Sequence, residues 1–204
     1  MSSLSRLQKP VVFVLALLPA AWLAWRTWHG ALGVNPVEEL ELTTGIWAYR
    51  FLLVSLAITP LRKLTGWNAV IRYRRMLGLF AFAYATAHLL IYVVVDQGMV
   101  LDYIVQDVVK RRFITAGMVA FLLLVPLAVT STKGWIRRLG KRWQSLHRLV
   151  YVSAIAAALH FIWKVKVAIG EPVYYAAILA ILLALRLLWR RQPAAAARRQ
   201  PARA

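Results

Sequence analysis

Long runs of apolar residues alternate with short polar segments along the chain. Six runs stand out: Val11–Trp28, Gly45–Leu61, Leu77–Val95, Phe113–Val129, Leu146–Val165 and Pro172–Leu188. Each is close to the roughly 20 residues that an α-helix needs to cross a bilayer, and none shows the alternation of a transmembrane strand. The pattern predicts an all-α integral membrane bundle of six transmembrane helices.

The runs also set the predicted domain organisation. Residues 1–191 form one six-helix domain, and residues 192–204 are a basic tail, rich in Ala, Arg and Pro, for which we predict disorder. The second run is short and contains Arg50, whereas polar groups interrupt the fifth. No convincing internal repeat is evident. The polar interruptions in the fifth run are where a functional site is expected.

Charge in the connecting segments predicts the topology. Four segments are basic. The segment before the first run contains Arg6 and Lys9, and the one between the second and third runs contains Arg62, Lys63, Arg72, Arg74 and Arg75. The segment between the fourth and fifth runs contains Lys133, Arg137, Arg138, Lys141 and Arg142, and the one after the sixth run contains Arg190, Arg191, Arg198, Arg199 and Arg203. The alternate segments differ: the first has Glu38, Glu39 and Glu41, the second has Asp96, Asp102 and Asp107 with Lys110, Arg111 and Arg112, and the third has only Lys164, Lys166 and Glu171. Because basic loops stay on the cytoplasmic side, both termini are predicted to be cytoplasmic.

Composition and charge exclude several classes of function and cofactor. The chain is 61% hydrophobic and carries a net charge of +19, but its cations lie between apolar runs, where membrane anchoring accounts for them and nucleic-acid binding is not expected. The absence of cysteine excludes disulfides, thiolate nucleophiles, Cys-ligated iron–sulfur clusters and covalent c-type haem. Any metal or haem must therefore be held by His, Met or carboxylates.

Three of the four histidines lie within predicted spans: His88, His147 and His160. Ionisable residues inside a membrane usually face the bundle interior and are functional candidates, and neutral imidazoles on facing helices suit the axial positions of haem iron. A hydrogen-bonded histidine between two helices is the alternative for each of them.

Depth in the membrane favours one pairing. Measured from Arg75 and Arg142, His88 lies ~20 Å and His160 ~27 Å along their helices, whereas His147 lies only ~7 Å deep, at ~1.5 Å per residue. His88 is therefore predicted to pair with His160.

The role of His147 stays open. On a regular helix His147 and His160 do not share a face, so His147 is predicted to ligate a second haem, to bind a quinone headgroup or to sit at the interface. Met76 is a conceivable soft ligand, although a lone Met is usually packing. His29 is assigned to the membrane interface.

Several short motifs run in order from residue 33 to 166. They are Gly33-Val-Asn-Pro-Val-Glu38, Thr44-Gly45, Thr59-Pro-Leu61, Arg74-Arg-Met-Leu-Gly-Leu79, Ala87-His-Leu89, Ile114-Thr-Ala-Gly117, Leu127-Ala-Val-Thr-Ser131, Leu139-Gly-Lys-Arg-Trp143, Leu146-His147, Val150-Tyr151 and His160-Phe-Ile-Trp163. In these motifs the chain resembles the MsrQ (formerly YedZ) family of ferric-reductase-like transmembrane proteins.

The resemblance implies a function and a set of cofactors. It implies haem b held by His88 and His160, with His147 as the second helix-5 histidine of the family. It also implies FMN as an additional cofactor and electrons drawn from the membrane quinone pool. The implied partner is MsrP, a periplasmic molybdopterin enzyme that reduces methionine sulfoxide in oxidised proteins. The implied location is the bacterial inner membrane.

Several charged residues are candidates for cofactor binding or partner docking along the implied electron route. Arg72, Arg74 and Arg75 could clamp a flavin phosphate or haem propionates, with simple membrane anchoring as the alternative. The three acidic residues of the first outer loop could steer a partner. Arg112 stands where the family pattern has Pro, at the outer entry to the fourth span, which bears on partner docking.

Two other functions compete with the relay. A transmembrane ferric or metal reductase normally adds a cytosolic flavin and nicotinamide domain, for which 204 residues leave no room. A transporter could use intramembrane histidines as proton relays, and it would carry no chromophore.

Overall fold

The apolar runs form helices in the computed structural model, which describes residues 3–165 and 170–197, with side chains for residues 8–165 and 170–189. The α-helices of this part are α1 (Ser3–Trp28), α2 (Pro36–Thr65), α3 (Arg74–Leu90), α4 (Leu101–Lys110), α5 (Arg112–Val129), α6 (Lys133–Leu139), α7 (Lys141–Leu146), α8 (Leu149–Lys164) and α9 (Glu171–Ala197). A 3₁₀ segment, Asn68–Tyr73, precedes α3, and a π-helical segment, Ile91–Asp96, continues it. No strand occurs within the described residues.

Six helical segments are long and apolar enough to cross a membrane. They are Gln8–Trp28, Pro36–Thr65, Asn68–Asp96, Arg112–Val129, Lys141–Lys164 and Glu171–Trp189. The predicted all-helical fold with six membrane-spanning helices is therefore confirmed.

The second helix is much longer than the predicted run Gly45–Leu61. It begins at Pro36, where Asn35 caps it: the Asn35 side chain accepts from the backbone N–H of Glu38 and donates to the Glu38 carboxylate. This is a reciprocal cap of the capping-box type. It ends at Gly66, whose φ of 70° gives the left-handed conformation that glycine adopts without strain.

The acidic residues are placed differently from the prediction. Glu38, Glu39 and Glu41 lie in the first turns of α2 instead of an open loop, and Asp102 and Asp107 lie in α4. Carboxylates near a helix N-terminus are stabilised by the exposed N–H groups there. The acidic residues were therefore not a reliable sign of a loop. Glu39 also binds Arg26 and accepts the backbone N–H of Gly33 at 2.6 Å.

Charge divides the bundle into two ends. All seven carboxylate side chains lie at one end, which we call the acidic end: Glu38, Glu39, Glu41, Asp96, Asp102, Asp107 and Glu171. The opposite end, the basic end, carries the α2–α3 and α5–α8 connections. Arg198, Arg199 and Arg203, which the topology prediction also used, lie outside the described residues.

Helix α2 is the centre of the bundle. In the most apolar 18-residue stretch of α2, 44% of the residues are buried, against 11% in the corresponding stretch of α1. Helix α2 packs against α1, α3, α8 and α9. Two closely packed pairs build the interior, α2 with α3 and α5 with α8. Ala81 of α3 and Ser153 of α8 are both 0% exposed, and small residues at such positions let helices approach closely in membranes.

A tyrosine joins α1 to this core. The Tyr84 hydroxyl donates to the carbonyl of Ala16 and accepts the N–H of Ala20, both at 2.9 Å. These two backbone groups would normally bond to each other, so the hydroxyl is inserted into the hydrogen-bond ladder of α1, beside Pro19.

The fifth and sixth spans depart from the prediction at their basic ends. His147 lies in a short turn between α7 and α8 and not on α8 itself, so an angular offset calculated for a regular helix does not apply to it. Helix α9 continues through residues 192–197, the first part of the predicted tail, whose remainder lies outside the described residues.

Candidate functional site

Two histidines face each other between α3 and α8. The ring centres of His88 and His160 are 6.0 Å apart, and their planes are inclined by 76°. Two imidazole nitrogens bound to one metal at about 2.0 Å each would also set their ring centres about 6 Å apart. The structure thus brings together the two histidines that depth arguments paired.

Each of the two rings is fixed by a backbone carbonyl on a neighbouring helix. His88 Nδ1 donates to the carbonyl of Glu41 on α2 at 2.9 Å, and His160 Nδ1 donates to the carbonyl of Phe113 on α5 at 2.7 Å. A carbonyl only accepts, so the proton is on Nδ1 in both rings and the lone pair is on Nε2. This is the tautomer that a metal-binding imidazole with an outer hydrogen bond adopts.

Glycines lie against both rings. A methyl group at Gly117 would stand 2.7 Å from His160 Nδ1, and one at Gly45 would stand 3.2 Å from His88 Nδ1. Any other residue at position 117 would collide with the ring or force it to move. Each glycine lies one helical turn after the residue whose carbonyl receives the proton.

The two halves of the site repeat each other. The separation between carbonyl and histidine is 47 residues in both cases. Glu41, Gly45 and His88 on α2 and α3 therefore correspond to Phe113, Gly117 and His160 on α5 and α8. The sequences around these residues differ enough that the repeat is not evident from the sequence. The equal spacing of 47 residues is the signal that could have revealed the repeat.

The rings line an apolar cavity near the acidic end. Its volume is about 190 Å³. The apolar walls include Ile46, Leu52, Leu89, Phe121 and Leu124, and the charged groups at the border are Glu41, Asp96, Arg111 and Lys164.

The third intramembrane histidine is not part of this cavity. His147 Nε2 lies 3.1 Å from Thr130 Oγ1, and the Thr130 hydroxyl donates to the carbonyl of Pro126 at 2.6 Å. The hydroxyl proton is thus already used, so His147 Nε2 is the donor and its lone pair is on Nδ1. Trp143 stacks on the ring at 3.9 Å. A metal or quinone at His147 would have to meet Nδ1.

The remaining candidates are dispersed. Arg74 is half-buried at the start of α3, whereas Arg75 is exposed. Met76 packs against the apolar core. His29 is exposed at the acidic end of α1, donates Nδ1–H to the carbonyl of Trp25 and lies against its ring, as expected for the interface. Arg112 covers the ring of Trp163.

The pair offers two neutral imidazoles, each with a lone pair on Nε2, and such imidazoles are suitable metal ligands. In residues 3–165 and 170–197, no three His, Asp or Glu side chains come together to hold a bare metal ion. The pair therefore suits a metal that brings its own equatorial ligands.

Comparison with known proteins first defines the class. The family described as the ferric reductase like transmembrane component matches residues 44–158, more than half of the chain. This range includes most of α2, all of α3 and α5, and α8 as far as Ala158, so it contains His88 and ends two residues before His160. No solved structure matches the chain.

Closer relatives define the particular family. A protein of Xanthomonas euvesicatoria pv. vesicatoria is 51% identical over 189 residues, covering 90% of this chain and 86% of the relative. Proteins of Xanthomonas oryzae pv. oryzae and Azospira oryzae are 50% and 52% identical, covering 96% and 89% of this chain and 90% and 79% of their own lengths. All three are named "Protein-methionine-sulfoxide reductase heme-binding subunit MsrQ". The chain belongs to the MsrQ family, and it is a multi-pass protein of the bacterial inner membrane.

Proposed function

We propose that this chain is a haem b subunit that relays electrons across the inner membrane. In this proposal the electrons come from membrane quinone, FMN is an additional cofactor, and the acceptor is an MsrP-like periplasmic molybdopterin reductase. That partner would use them to reduce methionine sulfoxide in oxidised periplasmic proteins. The relay subunit itself carries out no sulfoxide chemistry.

The facing imidazoles of His88 and His160 carry the proposal. Their 6.0 Å separation, the shared Nδ1–H tautomer and the apolar walls around them fit a haem group that the two Nε2 atoms would hold between α3 and α8.

The chain contributes ligand geometry and environment. Haem, when bound, supplies one-electron chemistry between its ferrous and ferric states. The carbonyls of Glu41 and Phe113 hold the two rings in orientation and make their Nε2 atoms more basic. The apolar walls exclude water and, with the ligands, tune the reduction potential.

The position of the pair along the bundle suits delivery to an outer partner. Glu41 and Phe113 lie in the first turns of α2 and α5, so both rings lie near the acidic end. With the basic end in the cytoplasm, as the distribution of Lys and Arg predicts, the pair is close to the periplasmic surface. The partner then docks at the acidic end.

The same position leaves a gap toward the basic end. His160 lies eleven residues after Leu149, the first residue of α8, which is about 16 Å along the helix axis at a rise of about 1.5 Å per residue, and His147 lies in the turn before that helix. An additional carrier in this gap would divide the transfer into two shorter steps. This supports FMN or quinone near His147, Arg74 and Arg75. A second haem on His147 would serve the same purpose.

The absorbance spectrum of the purified protein tests the proposal. We expect a Soret band that sharpens on dithionite reduction, with its low-spin signal lost in His88→Ala and in His160→Ala. His29→Ala is the matched control, because this exposed histidine is remote from the cavity. It should retain the wild-type spectrum.

Two outcomes would favour the competing functions. A colourless protein from haem-supplied cells would favour the transporter and refute the relay. A haem protein that reduces chelated iron rapidly but fails to reduce MsrP would favour the metal reductase. Unchanged spectra in both histidine variants would refute the ligand assignment.

A further inference from the structure

A groove runs along the outside of the bundle between α5 and α8, at the acidic end. Its apolar walls include Ala116, Val119, Ala156 and Leu159. The two alanines carry only methyl groups, so the surface is recessed beside the exposed side chains of Val119 and Leu159. Because these residues belong to two of the membrane-spanning helices, the groove faces lipid in a bilayer.

A break in the chain divides three consecutive cations between this groove and the histidine cavity. Arg111 has an extended backbone, with φ −110° and ψ 94°, and separates α4 from α5. The Arg111 side chain binds Asp107 at 3.1 Å and lines the cavity of His88 and His160. Lys110 and Arg112, on either side of it, line the groove instead.

Neither cation of the groove is neutralised by the part of the chain that the structure describes. Lys110 Nζ donates to the amide oxygen of Gln106 at 3.1 Å, and the Arg112 guanidinium lies 5.6 Å from the centre of the Trp163 ring. The ion pair of this segment is the one between Arg111 and Asp107. Two positive charges at the otherwise acidic end are thus available to an external anion.

The surroundings place these cations at the depth of lipid headgroups. Trp163 is partly exposed in the last turn of α8, and indole rings concentrate at the membrane interface. On α4, Leu101, Val105 and Val109 recur at every fourth position, and each is more than half exposed. Such an apolar face is typical of a helix that lies in the plane of the interface. Val109 continues this face into the groove.

We propose that the groove binds an anionic phospholipid of the leaflet at the acidic end. Lys110 and Arg112 contact the lipid phosphate, and one acyl chain lies along Ala116 and Ala156. Charge complementarity favours this occupant. A quinone carries no anionic group, and a symmetric contact with a second copy would place Lys110 and Arg112 against the same cations of that copy. This inference is independent of the proposed electron relay.

Native mass spectrometry of the full-length protein tests the proposal. The protein is delipidated in neutral detergent and titrated with phosphatidylglycerol or phosphatidylcholine of equal chain length. We expect one phosphatidylglycerol to bind at least about 10-fold more tightly than phosphatidylcholine, since each cation near a membrane surface contributes about fivefold to the binding of anionic lipid.

Three variants separate the headgroup contacts from the acyl-chain contact. Lys110→Gln and Arg112→Gln should each weaken phosphatidylglycerol binding about fivefold and leave phosphatidylcholine binding unchanged. Ala116→Leu keeps both cations and fills the groove, so it should weaken phosphatidylglycerol binding about 10-fold, the loss for about two methylene groups excluded from the groove.

Two control variants match these changes outside the groove. Arg138→Gln removes an exposed arginine at the basic end, and Val152→Leu enlarges an exposed side chain elsewhere on α8. Both should bind phosphatidylglycerol as the wild type does. Thermal unfolding of every variant in lipid-free detergent verifies that it is folded, which we expect for Lys110→Gln and Arg112→Gln because both side chains are exposed.

The outcomes distinguish the possible occupants. Preference for phosphatidylglycerol that is reduced in Lys110→Gln and Arg112→Gln supports the proposal. Equal affinity for the two lipids overturns it, as does wild-type affinity in both charge variants. A retained mass equal to a quinone, or a dimer that Ala116→Leu dissociates, also overturns it. The Soret band of the same samples reports separately on His88 and His160, so failure of one proposal leaves the other standing.

Discussion

At the scale of single residues, two backbone carbonyls and two glycines determine how the histidines are presented. In α2 the carbonyl of Glu41 accepts the helical N–H of Gly45 and, with its second lone pair, the Nδ1–H of His88. Gly45, one turn after Glu41, has no side chain, which leaves space for the His88 ring. The pairing of His88 with His160 could be predicted from their depth, whereas these hydrogen-bond partners could not, because a sequence does not give the register between helices.

Alanine at the two glycines tests this arrangement. Gly117→Ala places a methyl carbon 2.7 Å from His160 Nδ1, and Gly45→Ala places one 3.2 Å from His88 Nδ1. We expect Gly117→Ala to lower haem affinity about 10-fold or more, and Gly45→Ala to lower it less, because loss of an outer-shell contact costs about 10- to 100-fold in comparable sites. Haem content per chain and the low-spin electron paramagnetic resonance signal are the measurements.

The control for these variants is Gly78→Ala on α3. A methyl group there would meet Ser55 Oγ at 3.5 Å, an ordinary contact. Equal haem content in all three alanine variants would contradict a positioning role for Gly45 and Gly117.

At the scale of helices, close approach depends on small residues at the crossings. Ser153 is fully buried on α8 and its hydroxyl donates to the carbonyl of Ala120 on α5 at 2.9 Å. The crossing holds the helix that bears His160 against the helix that bears its carbonyl partner. Apolar runs predicted these helices to within a few residues, but the extension of α2 into its acidic turns and the break at His147 follow from capping and tertiary contacts, which hydropathy does not record.

Substitutions at Ser153 separate the hydrogen bond from the space it occupies. Ser153→Ala keeps the close approach, so we expect a loss of only about 0.6 kcal/mol in stability, the average for a hydrogen bond between membrane helices. Ser153→Leu overfills the crossing, with an expected cost of about 1–3 kcal/mol and partial loss of haem. Thermal unfolding followed at the Soret band measures both.

Val152→Leu is the neighbouring control, because Val152 is 52% exposed on the lipid-facing side of α8. It should unfold at the wild-type temperature. If Ser153→Leu does the same, the crossing tolerates the added volume and the close-packing account fails.

At the scale of the whole molecule, charge is distributed unequally between the two ends of the bundle. The acidic end contains every carboxylate side chain, and the basic end contains the clustered Lys and Arg of the connections. The sequence predicted this division correctly in outline because charge distribution does not depend on helix contacts. The facing of His88 and His160 depends on the packing of α2 with α3, of α5 with α8 and of α3 with α5, which charge distribution does not predict.

The absence of cysteine makes the orientation directly measurable. A single cysteine introduced by Met99→Cys, exposed at the acidic end, should react with a membrane-impermeant maleimide in intact spheroplasts. One introduced by Arg138→Cys at the basic end should react only after permeabilisation. The reverse labelling pattern would invert the proposed direction of electron flow.

The matched halves of the site have a consequence for its origin. Each α-hairpin contributes one imidazole, one anchoring carbonyl and one glycine, with 47 residues between carbonyl and imidazole. A single ancestral hairpin would thus have carried one imidazole, and two copies meeting about a rotational dyad would have supplied the facing pair. Joining them in one polypeptide freed each half to diverge, which explains how Glu41 and Phe113 serve the same purpose with unrelated side chains.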